Sequence, residues 1–395
     1  MRIGDFCKTN LHTYSEKEKW SEIHYLDTGN ITRGKVDEIQ ILVPGKDTIP
    51  SRARRKVQID DIVYSTVRPN QRHYGIIKNF DPNMLVSTGF VVITVDQQIA
   101  DPDFIYYFLT QDDITETLQA IGEQSTSAYP SIKPVDIENL EIELPSLEEQ
   151  RAVGAFLRLL DEKCAANDRI NDNLLVLATA LFDQTIVKYT PYLTMKSIDD
   201  IAEVKGGKRL PKGVNLQTIP NAHPYIRVRD LNDACVVQLS SEFEYVDDET
   251  QKGIARYIVH TSDVIVSIVG TIGLTALVHE SLDMANLTEN CVKITNLKET
   301  TPEYLLLFLR SVAGQTAIQQ GTVGAVQAKL PIKNIQTIMI PVIPEDQCKT
   351  LYSQLKSIFA AISARLGENA SLMQIRDSLL PRLMSGEIDV SDINI

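Results

Sequence analysis

The sequence predicts an α+β protein built as a tandem pair: two mixed α/β domains, each followed by a long helix, with the two helices pairing as an antiparallel coiled coil in a pseudo-twofold repeat. Three observations predict it. The stretch SIKPVDIENLEIELPSLEEQ at 131–150 returns as KLPIKNIQTIMIPVIPEDQ at 329–347. Other segments repeat at a near-constant offset of about 200 residues. Finally, each copy ends in a run of about 40 residues with apolar positions alternating at spacings of three and four.

In chain order, IDDIVYSTVRPNQRHYGII (59–77) is echoed by TSDVIVSIVGTIGLTALV (261–278): an Asp, an apolar strand holding a Ser, a turn, and a second strand. VSTGFVVIT (86–94) is echoed by NLTENCVKIT (286–295). DPDFIYYFLTQ (101–111) is echoed by TPEYLLLFLRS (301–311), each an apolar helix with Pro in its first turn. Two copies make a tandem duplication rather than a solenoid. The expected divisions are a first mixed domain at 1–145, a first long helix at 146–189, a second mixed domain at 190–342, a second long helix at 343–388 and a tail at 389–395.

The expected seam of the first helix is Val153, Phe156, Leu160, Lys163, Asn167, Ile170, Leu174, Leu177 and Leu181. That of the second is Leu351, Leu355, Ile358, Ile362, Arg365, Asn369, Leu372, Arg376, Leu379 and Leu383. Each helix would span roughly 60 Å. The Asn near the middle of each seam is the kind of polar layer that fixes register at some cost in stability. The alternative is a plain amphipathic helix packed on a globular core.

At 395 residues the chain exceeds one ordinary core. No run is long and apolar enough to span a bilayer, no signal peptide is evident, and five scattered cysteines (Cys7, Cys164, Cys235, Cys291, Cys348) fit reduced thiols in a cytoplasmic chain. The net charge of −13 conceals asymmetry: residues 31–78 hold ten Lys and Arg against five acids, and 205–229 hold six bases and no acid. In contrast, 101–150 hold twelve acids and the single base Lys133. A binding face depends on this local charge rather than on the total.

Sites of catalysis are hard to find. GNITRGKV (29–36) has the G-x-x-x-x-G-K spacing of a phosphate loop but Val36 where Ser or Thr would hold magnesium, so a charged turn between strands explains it equally. EVK at 203–205 lacks a partner Asp for a metal nuclease, and the six histidines show no metal-ligand spacing. What stands out are basic residues interleaved with amides and aromatics. In the first copy these are Arg52, Arg54, Arg55 and Lys56, followed by Arg68, Asn70, Gln71, Arg72 and Tyr74. In the second they are Lys205, Gly206, Gly207, Lys208, Arg209 and Lys212, then Tyr225, Arg227 and Arg229. Arg and Lys suit phosphates and guanine edges, Asn and Gln pair with adenine, and glycines admit a close phosphate. Two copies of such a surface suit paired DNA half-sites.

The motifs together resemble the specificity subunit of type I restriction–modification systems over essentially the whole chain. LPSLEEQRAVGAFLRLLDEK (144–163) and IPVIPEDQCKTLYSQLKSIFAAI (340–362) are similar to the openings of that family's two spacer helices, and ALFDQTIV (180–187) and LLPRLMSGEI (379–388) to their endings. IDDIAEVKGGKRLPKG (198–213), YIRVRDL (225–231) and VIVSIVGTIG (264–273) resemble a target-recognition domain. The first copy departs, with TVRPNQRHYG in place of IVGTIG. The resemblance implies a non-catalytic subunit that reads a bipartite, asymmetric site in double-stranded DNA, one part per domain, with the helices setting the gap. It implies two adenine methyltransferase subunits as partners, with motor-nuclease subunits joining them, and no membrane. It implies no cofactor on this chain; S-adenosylmethionine, ATP and Mg²⁺ belong to the partners. Leu175 and Phe182, opposite the seam, are the expected methyltransferase contacts. Rival expectations are a DNA-binding module of another defence assembly and a coiled-coil scaffold that binds protein alone.

Overall fold

The computed structural model describes residues 1–79, 81–125, 129–231, 235–324 and 327–390, without the side chains of Glu16 and Glu345. Most of the expected tail, 391–395, lies outside the described residues. The chain forms two compact units, Met1–Lys163 together with the segment from Leu372 onward, and Cys164–Ser371.

Both units carry one framework. In the first, four antiparallel strands lie in the order Cys7–Thr9, Phe90–Val95, Ile62–Ser65, Tyr74–Ile76. In the second the order is Glu203–Gly206, Cys291–Thr295, Val264–Ser267, Thr275–Val278, and Val236–Val237 adds a parallel edge. The central strands are uninterrupted β-branched and apolar runs, buried on both faces, which is why VIVS and IVYS form strands rather than alternating surface elements. Helices Pro102–Thr110 and Pro302–Arg310 follow at the same place, with Pro at the start and caps from Asp101 and Thr301, whose side chains accept from the N–H of Phe104 (3.0 Å) and Tyr304 (3.4 Å). The first unit adds a second sheet in the order Gln40–Leu42, Ile23–Leu26, Met84–Ser87, Ala53–Lys56.

The twice-written clause has a structural meaning. Each copy begins as a short helix, Pro134–Glu138 or Ile332–Gln336. Each then runs back along the first residues of its own domain. Leu140 O accepts from Ile3 N–H, the Ile142 N–H donates to Met1 O, and in the second copy Met339–Val342 pairs with Thr194–Ser197. The long helices Leu147–Tyr189 and Glu345–Met384 start immediately afterwards. In the first, Ser146 and Glu149 form a reciprocal cap: Glu149 Oε2 accepts from Ser146 N–H (2.8 Å) and Ser146 Oγ from Glu149 N–H (3.3 Å). Gln150, 1% exposed, is a latch, accepting from Asp101 N–H at 3.0 Å and donating to Pro145 O at 3.0 Å. In the second copy Gln347 Oε1 finds no partner among the described residues.

The two helices pair, antiparallel. Within the first unit Arg376 Nη1 lies 2.6 Å from Asp161 Oδ1. Within the second, Asn167 Nδ2 donates to Asn369 Oδ1 (2.8 Å) and Glu368 Oε2 (2.8 Å), while Asn369 Nδ2 donates to Asp168 Oδ1 (2.9 Å). The expected polar layer therefore faces itself. The second helix keeps every expected seam residue at least half-buried. The first requires a correction. Lys163 is exposed, Ile170 and Leu177 are 41% and 48% exposed, and Cys164, Asn171 and Ala178 turn inward instead. From Leu160 the inward steps are four then three rather than three then four: Leu160, Asn167 and Leu174 keep their expected places, and every second seam position moves on by one residue. The helices also pack on domain cores: Ala178, Phe182, Leu351, Leu355 and Ile362 join the strand and helix residues of the second unit. Phe182, expected to face a partner, is buried there, and Leu175 is half-buried against the same core.

The Asn167–Asn369 layer yields a stability prediction. Asn369→Leu alone should cost roughly 1–3 kcal/mol by leaving the Asn167 amide and Asp168 facing an apolar group. The double change Asn167→Leu with Asn369→Leu should recover most of that loss while relaxing register. Urea midpoints of the three variants check it; a double variant no more stable than the single would refute the coupling.

Candidate nucleic-acid interface

In the first unit the basic strand Ala53–Lys56 sits at a sheet edge. Its side chains are not equivalent. Arg52, just before it, is exposed, while Arg54, Arg55 and Lys56 are half-buried. Lys56 pairs with Glu18 and holds its ammonium 5.3 Å from the centre of the Trp20 ring. Arg54 Nε donates to Ser51 O at 3.4 Å. Arg55 Nε is buried with no partner among the described residues, and that burial lowers its pKa.

The divergent turn between Ile62–Ser65 and Tyr74–Ile76 is a single tight turn, Pro69–Gln71, flanked by Arg68 and Arg72 in left-handed conformation (φ 48° and 58°). Such backbone in non-glycine residues persists only where surroundings hold it. Here both guanidiniums are occupied: Arg68 lies 4.4 Å over the Tyr129 ring, and Arg72 Nη1 is 2.6 Å from Asp112 Oδ1. Asn70 and Gln71 at the tip are exposed, and the Asn70 N–H is tied to Gln119 Oε1 (3.2 Å). The hairpin Ile31–Thr32/Lys35–Val36 leans on this turn, Arg33 N–H donating to Arg72 O and Gly34 N–H to Tyr74 O, both at 2.8 Å. Residues 29–36 are thus a charged hairpin, the alternative to a phosphate loop, and exposed Arg33 is a further cation beside the turn. Tyr74 is a correction: it is buried, stacked on Tyr64 at 5.5 Å, and has no free face for a base.

In the second unit the acid-free run meets acids brought in from elsewhere. Lys205 Nζ is 2.5 Å from Glu203, Arg209 Nε is 2.7 Å from Glu289, and Arg227 Nη2 is 2.5 Å from Glu244. Arg229 reaches Asp230 (3.3 Å), Glu244 (3.4 Å) and the Glu242 carbonyl (3.1 Å). Burial pushes the Asp230 carboxyl up to about 6, with Arg229 opposing. Tyr225, like Tyr74, is buried; its Oη donates to Lys208 O at 2.7 Å and so positions the basic loop instead of offering its ring. Gly206 ends a strand, and Gly207 is pressed against backbone of its own chain, not left open for a phosphate: a Cβ there would lie 2.0 Å from Thr288 O.

Cations still facing outward are Lys208, 5.4 Å from the Tyr257 ring centre, Lys212, and the largely exposed guanidinium of Arg209. Tyr257 brings with it Arg256, and the preceding helix Asp248–Ile254 carries Lys252; both are exposed, and neither forms an ion pair among the described residues. Sequence reading missed these two, since only the fold sets them beside the 208–212 loop, where Leu210, Leu216 and Tyr257 share one apolar cluster.

Two framework-identical units, each presenting exposed cations around differing turns, define a duplicated recognition protein. The chain belongs to the family described as type I restriction modification DNA specificity domain, whose model matches residues 1–175 and again 193–370. It is 22% identical over 461 residues to the Type I restriction enzyme HindI specificity subunit of Haemophilus influenzae, covering 98% of both chains. It is also 22% identical over 406 residues to the MjaIX specificity subunit of Methanocaldococcus jannaschii, covering 94% of this chain and 85% of that one. The crystal structure of a type I restriction–modification S subunit from M. genitalium shares the fold, with a TM-score of 0.55, 15% identity, and coverage of 97% of this chain and 95% of that one. Among the described residues no helix is long and apolar enough to cross a membrane.

Proposed function

We propose that this chain reads DNA sequence for a type I restriction–modification assembly. Each unit contacts one part of a bipartite site in double-stranded DNA, and the paired helices set the gap between the parts. The observation that carries this reading is the duplication itself: one framework twice over, with different residues exposed on the matching turn, Asn70 and Gln71 in one copy and Gly270 and Thr271 in the other. Two adenine methyltransferase subunits dock on the chain and motor-nuclease subunits join for cleavage; S-adenosylmethionine, ATP and Mg²⁺ act on those partners, and this chain performs no chemistry of its own.

The side chains divide by role. Arg52, Lys208, Arg209, Lys212, Lys252 and Arg256 hold phosphates, Asn70 and Gln71 read base edges, and Arg68, Arg72, Tyr74 and Tyr225 hold the reading turns in place. Replacing Lys208 and Lys212 with Ala should weaken binding to every sequence alike and reduce the salt slope by about 1 per lost phosphate contact. Replacing Asn70 and Gln71 with Ala should leave that slope unchanged and relax base preference, by roughly 1–3 kcal/mol at the position read. Affinities measured against salt and against single-base site variants separate the two. The assignment as a whole is tested by pull-down of the tagged chain from its host with mapping of methylated adenines. Two methyltransferases per chain and one bipartite motif are expected, and recovery of no methyltransferase would refute it.

A further inference from the structure

The first unit contains a cavity of about 400 Å³ that opens beside the basic edge strand. Its walls combine aromatic, apolar and cationic groups: Tyr14 and Trp20, Pro44 and Ile49 from the 43–50 loop, and Lys19 and Arg54. The volume falls in the range, about 300–1,000 Å³, in which small-molecule sites are found. The two rings are fixed against each other, centres 4.7 Å apart and tilted by 47°, and Lys56 caps the indole. Neither the Tyr14 hydroxyl nor the indole N–H of Trp20 has a hydrogen-bond partner among the described residues, and neither atom is fully buried. Lys19 is exposed and held in left-handed conformation (φ 50°) at the rim, with no ion pair among the described residues.

We propose that this cavity binds a single nucleotide, its base against the partly exposed Trp20 indole with the Tyr14 hydroxyl at its edge, and its phosphate toward Lys19. A purely apolar ligand would leave two donors unmet and an ammonium at the rim without purpose. A planar, hydrogen-bonding ring that carries a phosphate satisfies all three, and stacking on aromatics is tolerant of base identity. The nucleotide comes either free from solution or from an unstacked DNA strand passing along Ala53–Lys56. The site does not depend on the sequence-reading function proposed above.

Trp20 is the sole tryptophan of the chain, so its fluorescence reports on the cavity directly. The full-length chain is titrated with dAMP, with inorganic phosphate and with single-stranded DNA. The expected result is saturable quenching by dAMP and none by phosphate, weakened about fivefold in Tyr14→Phe, which keeps the ring and loses the hydroxyl. Ser51→Phe, at an exposed position on the rim, should abolish it. Quenching by single-stranded DNA alone, with the same sensitivity to both variants, identifies the strand as the source. No quenching by either, or quenching that survives Ser51→Phe, overturns the proposal. A chain that directs site-specific methylation without quenching loses the cavity assignment alone; one that quenches but directs none loses the reading function alone.

Discussion

Gly207→Ala is expected to destabilise the second unit by about 3 kcal/mol or more, the upper end of overpacking costs. An added Cβ would stand 2.0 Å from Thr288 O and 2.5 Å from Leu287 O. Neither side can withdraw cheaply. Gly207 N–H donates to Cys291 O, Lys208 N–H to Leu287 O and Thr288 N–H to Ile226 O, so moving either segment breaks backbone hydrogen bonds in the interior. The neighbouring Gly206 is an internal control, because its added Cβ would meet only the end of the Ile332 side chain, at 3.2 Å. Gly206→Ala should change stability by less than about 1 kcal/mol. Urea denaturation of both variants decides the matter; equal midpoints would show that the close approach does not hold.

Phe182→Ala should cost about 3–5 kcal/mol, as a phenylalanine removed from a filled core does. The ring is 3% exposed and meets the Tyr304 ring edge-on with centres 4.9 Å apart. Tyr304 is itself locked, donating from Oη to Pro341 O at 2.5 Å and packing on Tyr352 at 5.6 Å. Collapse into the space left is therefore restricted, and the cavity term stays large. Phe182→Leu should lose much less. A normal melting transition in Phe182→Ala, with methyltransferase binding lost, would instead mean that the ring faces a partner.

These two residues show where sequence was legible and where it was not. The duplicated framework could be read because its signals are local: apolar strands such as VIVS, a Pro in the first turn of each apolar helix, and the repeated clause ahead of each long helix. The second helix seam was legible throughout because its inward residues are mostly leucine and isoleucine. In the first helix the inward residues Cys164, Asn171 and Ala178 are small or polar, while Ile170 and Leu177 one position away look more apolar and lie outside. A 3.5-residue rhythm does not by itself choose between those phases.

The basic clusters were harder, for a different reason. Charge counted along the chain ignores acids that arrive by folding, and Glu244 and Glu289 neutralise Arg227 and Arg209 from distant sequence positions. Gly207 looked like room for a phosphate because its real neighbour, the 287–288 backbone, lies some 80 residues further on. Tyr74 and Tyr225 are amphipathic, and no local pattern reveals whether ring or hydroxyl will be covered. Lys252 and Arg256 sit in an acidic neighbourhood of sequence and acquire meaning only beside Lys208.

The return of each domain onto its own first residues has an evolutionary consequence. Because Met339–Val342 hydrogen-bonds to Thr194–Ser197, and residues 140–142 to Met1 and Ile3, each recognition module begins and ends at one place on its surface. A module whose ends adjoin can be excised and replaced without disturbing what surrounds it. Such exchanges would change the DNA sequence recognised in a single genetic event, with the latch at Gln150 and the Asn167–Asn369 layer left untouched.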